Sequence, residues 1–312
     1  MEMANFSDGK KYSGAFEQQR CSVSLTRGIE GHLKYLIAFN IFLSLIAFLG
    51  NTVVLVALRK ETSLHPPSKL LFRCLAATDL CVGLITEPMN VNYWVSLLKE
   101  DWNTCLYAYK ACFITSYILS SISLLTITAI SVDRLLALLL GLRYKPIVTL
   151  KRTYVAVITF WFISTTAATL YLLNHLITFL YGYIFISFCS FISICSYTKI
   201  FLTLRRHRIR AQETVSDAIL SQEMNLARYR KAVYSALWVQ MALVACYIPY
   251  GIVGDLFSHS KLTPSKFFFL EVTISSVYLN SSLNPFLYCW KISEVRNAVK
   301  KTIRQALCHL FN

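Results

Sequence analysis

Asp79 sits in Leu75-Ala76-Ala77-Thr78-Asp79-Leu80, inside an otherwise apolar run, and Asp133 and Arg134 stand side by side where another apolar run meets basic residues. A charge at the middle of a bilayer costs about 2.5 to 3.5 kcal/mol on insertion scales, so each such residue needs a partner or a task. Asn51, Ser123, Asn280, Ser281 and Asn284 lie at matching depth in other apolar runs. Two readings of Asp79 are open: hydrogen bonding that ties helices together, or a water-filled pocket that takes a cation. The Asp133–Arg134 pair is either a helix-end ion pair of little energetic value or a switch, in which Arg134 is held at rest and then released to a partner. Pro249 follows Cys246-Tyr247-Ile248, and Pro285 lies within Asn284-Pro285-Phe286-Leu287-Tyr288. Each proline removes a backbone hydrogen bond and bends its helix. Either bend alone reads as a static kink; two of them beside an ionic pair point to a movable end.

These residues do not compose an enzyme. No Cys/His pair has zinc-ligand spacing, no glycine-rich loop could cradle phosphate, and no serine sits in a nucleophile elbow. Most of the ten cysteines, among them Cys74, Cys81, Cys189, Cys195, Cys246 and Cys289, fall in apolar segments, where a thiol behaves as a small hydrophobe.

The elements that position these groups follow from composition. Of 312 residues, 55% are hydrophobic and 15% charged, which indicates a membrane protein. A bilayer core about 30 Å thick needs roughly 20 apolar residues of helix. Seven segments reach that length: Leu33 to Leu58, Leu70 to Leu97, Cys105 to Leu140, Tyr154 to Leu173, Leu176 to Leu204, Ala232 to Leu256 and Phe267 to Trp290. The formal charge of +15 is spread between the runs rather than over one soluble face, so nucleic acid is not an expected partner. Arg59, Lys60 and Lys69, then Arg143 to Arg152, Arg205 to Lys231, and Lys291 to Arg304 concentrate that charge on one side. By the positive-inside rule the N-terminus is external and the C-terminus cytoplasmic, with a multi-pass plasma-membrane location.

Three parts are expected: an extracellular tail over 1–32, a seven-helix domain over 33–290, and a cytoplasmic end over 291–312. The polar start, Met1 to Tyr12, has no cleavable secretory signal. Asn5-Phe6-Ser7 is a glycosylation sequon in the tail, whereas Asn280-Ser281-Ser282 falls within a span and is discounted. Ile292, Val295, Val299, Ile303 and Leu307 recur at helical spacing opposite Arg296, Lys300, Lys301 and Arg304, the pattern of an amphipathic helix on the inner membrane surface. Cys308 follows, either as a palmitoylation site or as an unmodified tail cysteine. The fold class is therefore an all-α membrane protein: a seven-transmembrane helix bundle with a short membrane-surface helix at the C-terminus.

Gly50-Asn51, Leu75-Ala76-Ala77-Thr78-Asp79, Asp133-Arg134-Leu135, Trp161, Tyr197, Cys246-Tyr247-Ile248-Pro249 and Asn284-Pro285-Phe286-Leu287-Tyr288 follow one another one set per span. In that order the chain resembles rhodopsin-like (class A) G-protein-coupled receptors from Leu33 to Cys308. The resemblance implies an external ligand in the outer half of the bundle, a heterotrimeric G protein at the inner end, and a population shift as the working event. It implies that Asp79, Ser123, Asn280, Ser281 and Asn284 form an allosteric sodium pocket, with no other cofactor. Arg134, Tyr197 and Tyr288 are implied as contacts of the active state, with Asp133, Pro249, Asn284 and Pro285 completing the switch. The basic stretches Arg143 to Arg152 and Arg205 to Lys231 would flank the G-protein site, and membrane lipid is the remaining partner.

Several positions depart from the family pattern. Tyr247 replaces tryptophan, Leu243 phenylalanine, and Cys189 the proline of the fifth span. Tyr229 stands where many members pair an acid with the third-span arginine, which leads us to expect raised basal signalling. Only Asn174 and His175 separate the fourth and fifth runs, and Tyr109 occupies the place of the bridging cysteine, so the family disulfide cannot form. Cys21 and Cys105 are the external candidates for a different bridge, with free thiols the alternative.

A short second loop, a missing disulfide and a missing fifth-span proline are similar to melanocortin receptors and, in part, to lipid and cannabinoid receptors; adenosine receptors belong to the same cluster. That places the chain there as an orphan, with a peptide or lipid-like ligand favoured. Ser116 replaces the aspartate of amine receptors, Tyr278 the retinal lysine of opsins, and Gly254 the asparagine of adenosine receptors. Glu87, Asp255 and Glu271 are acids available to a basic anchor, each alternatively a solvated or interfacial residue. The expected cavity is lined by Glu87, Phe113, Ser116, Tyr117, Tyr247, Tyr250 and Tyr278, although aromatics at helical spacing also serve plain packing. The competing function is an ion-coupled transporter or channel using Asp79; the lack of inverted repeats and of further buried acids argues against it.

Overall fold

The computed structural model describes residues 20–60, 64–170, 175–213, 241–242, 244–254, 256–257, 261–291 and 293–310. Asn5, Asn174, Tyr229, Leu243, Asp255 and Ile292, singled out above, lie outside the described residues. No strand occurs among the described residues, as expected where lipid offers backbone groups no partner.

The first span is Glu30–Lys60. The second is one rod in three pieces: Pro66–Cys81, a π turn Val82–Thr86, and Glu87–Leu98. The third is Trp102–Leu140, the fourth Leu150–Leu170, and the fifth His175–Glu213, which runs beyond the apolar segment read from sequence. Of the sixth, Val244–Gly254 is described as an apolar helix. The seventh is Pro264–Lys291, and a last helix covers Ser293–Leu310. By length and hydropathy alone the first, third, fourth and fifth qualify as membrane spans. The second is broken by its π turn, and the seventh carries Ser275, Ser276, Asn280, Ser281, Ser282 and Asn284. Polar side chains in those rods face other helices rather than lipid, so the rods join one seven-helix bundle.

The third span is the axle. Asp101 caps it, accepting from the Thr104 backbone N–H at 3.2 Å, and hydrogen bonding from Thr104 holds the Asp101 carboxyl below its ordinary range. Gly141, at φ +51°, ends it in a conformation that disfavours a side chain. Between these ends it buries residues such as Cys112, Ile122, Leu124, Ile127 and Asp133, whereas the fourth span buries only Thr153, Ser164, Ala167 and Ala168. Small residues let the fourth helix approach closely. Its large residues Ile158, Trp161 and Phe162 point outward, 66%, 42% and 71% exposed.

The proline break of the seventh span has a local remedy. Pro285 deprives the Ser281 carbonyl, four residues earlier, of its helical donor, and Asn51 Nδ2 donates to that oxygen at 3.1 Å. A Cβ on Gly50 would fall 2.9 Å from the Pro285 ring, so Gly50 makes room for the proline that Asn51 serves. Near Pro249, Ser276 donates to the Cys246 carbonyl at 2.9 Å. Pro88 lacks a helical donor in the same way, and the π turn just before it widens the rod. There the second span presses on the first: a Cβ on Gly83 would meet Ala47 Cβ at 2.8 Å and the Phe48 backbone N at 2.9 Å, and Ser44 Oγ donates to the Gly83 carbonyl at 2.7 Å.

The last helix docks through Val295, Ala298 and Val299 onto the cluster that holds Leu58, Leu75, Ile127 and Tyr288, and Lys60 Nζ donates to Gln305 Oε1 at 2.7 Å. Ile303, expected on its apolar face, is 45% exposed, and Cys308 is also exposed.

Candidate functional site

Three arrangements lie along the bundle. At its centre, Asp79 accepts from Ser281 Oγ at 2.9 Å and from Asn284 Nδ2 at 2.7 Å, one bond to each carboxyl oxygen. Ser123 shares a 2.9 Å bond with Thr78, the residue before Asp79. Asn280 is 1% exposed, and the side-chain oxygens of Asn51, Asn280 and Asn284 are buried with no hydrogen-bond partner. The five residues expected around a sodium ion are thus all buried, with spare oxygens of the hard type such a cation takes. No cluster of three or more His, Cys, Asp or Glu residues suited to a metal occurs among the described residues.

At the end bearing the basic loops, Arg134 Nη2 lies 2.8 Å from Asp133 Oδ2. Asp133 is doubly held besides: Ser68 Oγ donates to Oδ2 at 2.8 Å, and the Tyr144 hydroxyl donates to Oδ1. Tyr144 comes from the turn Tyr144–Ile147 after the third span and stacks obliquely on His65, ring centroids 4.9 Å apart. Sequence reading missed Ser68 and Tyr144, because nothing in their spacing shows that the start of the second span and the turn after the third converge on one carboxylate. Tyr197 and Tyr288, expected to act with Arg134, are not joined here. Ser131 Oγ donates to the Tyr197 hydroxyl at 2.9 Å, and Tyr288 packs edge-on against Phe72 with its hydroxyl unpartnered.

At the opposite end lies a cavity of about 150 Å³ walled by the second, third, fifth, sixth and seventh spans. Phe113, Ser116, Tyr117, Tyr247, Tyr250 and Tyr278 all line it. Tyr109, Phe113 and Tyr117 recur every four residues, so their rings succeed one another up one helix face, with centroids 6.4 and 6.2 Å apart. Tyr278 is fixed by Ser116 at 2.9 Å and by Cys112 Sγ at 3.4 Å. One expectation fails. Glu87 is not a lining residue; it is fully buried, and neither carboxyl oxygen has a partner, so Asp79 is not the lone buried acid outside the Asp133–Arg134 pair that the sequence led us to expect: Glu87 and Glu271 are buried with it. The π turn lies between Asp79 and Glu87, so a helical wheel drawn from Asp79 at 3.6 residues per turn misplaces everything after it.

Glu271, Asn90 and Tyr93 line the cavity instead. Above it, residues 20–29 fold over the bundle. Cys21 is bonded to Cys105, their Cα atoms 6.1 Å apart, and Leu25, 1% exposed, enters the cluster of Leu33, Trp94, Leu97 and Phe267. This arm is thereby pinned to the outer ends of the first, second, third and seventh spans, a placement invisible in so polar a stretch of sequence.

Comparison with known proteins accounts for the architecture. The model of the family described as 7 transmembrane receptor (rhodopsin family) matches residues 50–177 and 172–288. The chain is similar to trace amine-associated receptor 9 of Homo sapiens, 24% identical over 95% of this chain and 92% of that one. It is similar to adenosine receptor A2b of Gallus gallus, 22% identical over 87% and 89%, and to adenosine receptor A2a of Canis lupus familiaris, 24% identical over 86% and 72%. Adenosine receptors belong to the cluster expected from the loop and motif departures; trace amine receptors lie outside it. These relatives are receptors rather than enzymes. With more than half its length matched and its helices in the corresponding order, the chain belongs to the rhodopsin family of seven-transmembrane receptors.

Proposed function

We propose that the protein is a plasma-membrane receptor that converts binding of an external ligand into activation of a heterotrimeric G protein. The distribution of Lys and Arg supports an external Cys21–Cys105 end and a cytoplasmic Asp133–Arg134 end. One observation carries the reading: Arg134 is tied to a carboxylate that Ser68 and Tyr144 also hold, at the end of the bundle opposite an aromatic cavity. A ligand that prefers a bundle with the sixth span displaced would break the Asp133–Arg134 pairing by population shift, freeing Arg134, Tyr197 and Tyr288 for the G protein. Asp79, Ser123, Asn280, Ser281 and Asn284 would hold a sodium ion that favours the paired state. Asn5 is the proposed glycosylation site and Cys308 the proposed lipid attachment site.

Arg134→Ala tests this reading. In membranes with the G protein supplied, ligand-driven nucleotide exchange is expected to vanish while surface expression stays within about twofold, because the buried Asp133 carboxylate keeps its hydrogen bonds from Ser68 and Tyr144 when Arg134 is removed. Undiminished exchange would remove Arg134 from the switch.

A further inference from the structure

Arg20 behaves as a ligand supplied by the chain itself. Its guanidinium approaches Glu271 Oε1 at 3.8 Å and lies over the Tyr109 ring, 5.8 Å from the centroid. The other carboxyl oxygen of Glu271 accepts from Trp94 Nε1 at 3.1 Å. The side chains of Arg20 and Glu271 are 11% and 2% exposed. A carboxylate beside aromatic faces is a standard means of holding an organic cation. Among the described residues that line the cavity, Glu271 is the one carboxylic acid, and no Lys, Arg or His joins it. Arg20 is not a lining residue, so the cavity meets the carboxylate and not the guanidinium. Deeper in, Asn90 is 3% exposed and lines the same cavity with its Nδ2 donor unpartnered.

We propose that Glu271 and Tyr109 form a cation-binding subsite of this cavity, held closed by Arg20, and that the ligand is an organic cation with an apolar body that takes the place of Arg20. The inference rests on the receptor reading only in assuming that the cavity admits an external ligand. Replacing one cation by another leaves the number of buried charges unchanged, so the desolvation of Glu271 is not incurred a second time. An anion would face the carboxylate, and a neutral ligand would leave it paired with Arg20. The unpartnered Asn90 Nδ2 adds a preference for a hydrogen-bond acceptor on the body of the cation. Competition by Arg20 lowers the apparent affinity of any such ligand by the fraction of time the subsite is occupied. Removing the Arg20 side chain does not release the arm, because the Tyr93 hydroxyl donates to the Arg20 carbonyl at 3.1 Å and the neighbouring cysteine is bridged.

The test uses the full chain purified in detergent, with affinities read from the rise in unfolding temperature. Benzylguanidinium copies the Arg20 head on an aromatic body, and benzylurea is its neutral isostere. Benzylguanidinium is expected to bind at least about tenfold more tightly than benzylurea, and Arg20→Gln to tighten it about tenfold further. Arg20→Lys keeps the competing charge and the weaker affinity, and Glu271→Gln brings the two probes to equal affinity. Equal affinities in Arg20→Gln, binding of neither probe to it, or a preference for charge that survives Glu271→Gln overturns the proposal. Should Arg20→Gln not fold, the Glu271→Gln comparison decides. Charge-selective binding without nucleotide exchange would fault the receptor reading, whereas exchange driven by ligands indifferent to charge would fault the subsite.

Discussion

Asp79 and Glu87 stand on the same rod, separated by the π turn, and both are fully buried, but their surroundings differ. Asp79 accepts two hydrogen bonds from the seventh span, while Glu87 has no partner at either oxygen. Burial is therefore not what distinguishes a working acid in this bundle. The seventh span brings two donors, Ser281 and Asn284, to the depth of Asp79, and is held there by Pro285 against Gly50 and by Asn51 on the Ser281 carbonyl. Past the π turn the rod presents Glu87 away from the cavity, and Glu271 of the seventh span supplies the acid there.

The largest expected effect is at Asp79. Asp79→Leu strands the Ser281 hydroxyl and the Asn284 amide in the core and should destabilise the receptor by about 3 kcal/mol, read as a lower unfolding temperature in detergent. If it leaves stability unchanged, the two bonds are not what sets Asp79 apart. Next comes the turn between the two acids. Gly83→Ala sets a Cβ against the Phe48 backbone N and the Ser44 carbonyl, each 2.9 Å away, and should cost about 2 kcal/mol, since neither backbone atom can move aside cheaply. A well-tolerated alanine would mean that the first and second spans are not locked at this point. The smallest effect has the opposite sign. Glu87→Leu removes a buried polar group that has no bond to lose and should stabilise the protein by about 1 kcal/mol. A loss of stability like that of Asp79→Leu would erase the contrast and assign Glu87 a partner.

Much of the architecture was legible from residue order. Apolar runs of span length gave the helices, and the prolines and the Asp133–Arg134 pair were visible as local motifs. Six of the seven cavity residues named from spacing line the cavity, since third-span residues four apart share a face along an uninterrupted helix. The seventh, Glu87, was misplaced because a π turn has no reliable mark in sequence. Ser68 and Tyr144, which hold Asp133 from other segments, left no trace of their convergence.

What the sequence determined alone is whatever depends on composition and local period: helices of bilayer length, the bends at Pro249 and Pro285, and the asymmetry of basic charge. The tertiary structure decided which of the open alternatives holds, joining Asp79 to Ser281 and Asn284 and Cys21 to Cys105, and it alone paired Glu271 with Arg20 and Trp94. The reason is range. A helix sets the spacing and direction of its own side chains within a few turns, but the pairing of residues more than 80 positions apart depends on how rods rotate and press together. Features such as the Gly83 contact and the π turn fix that rotation.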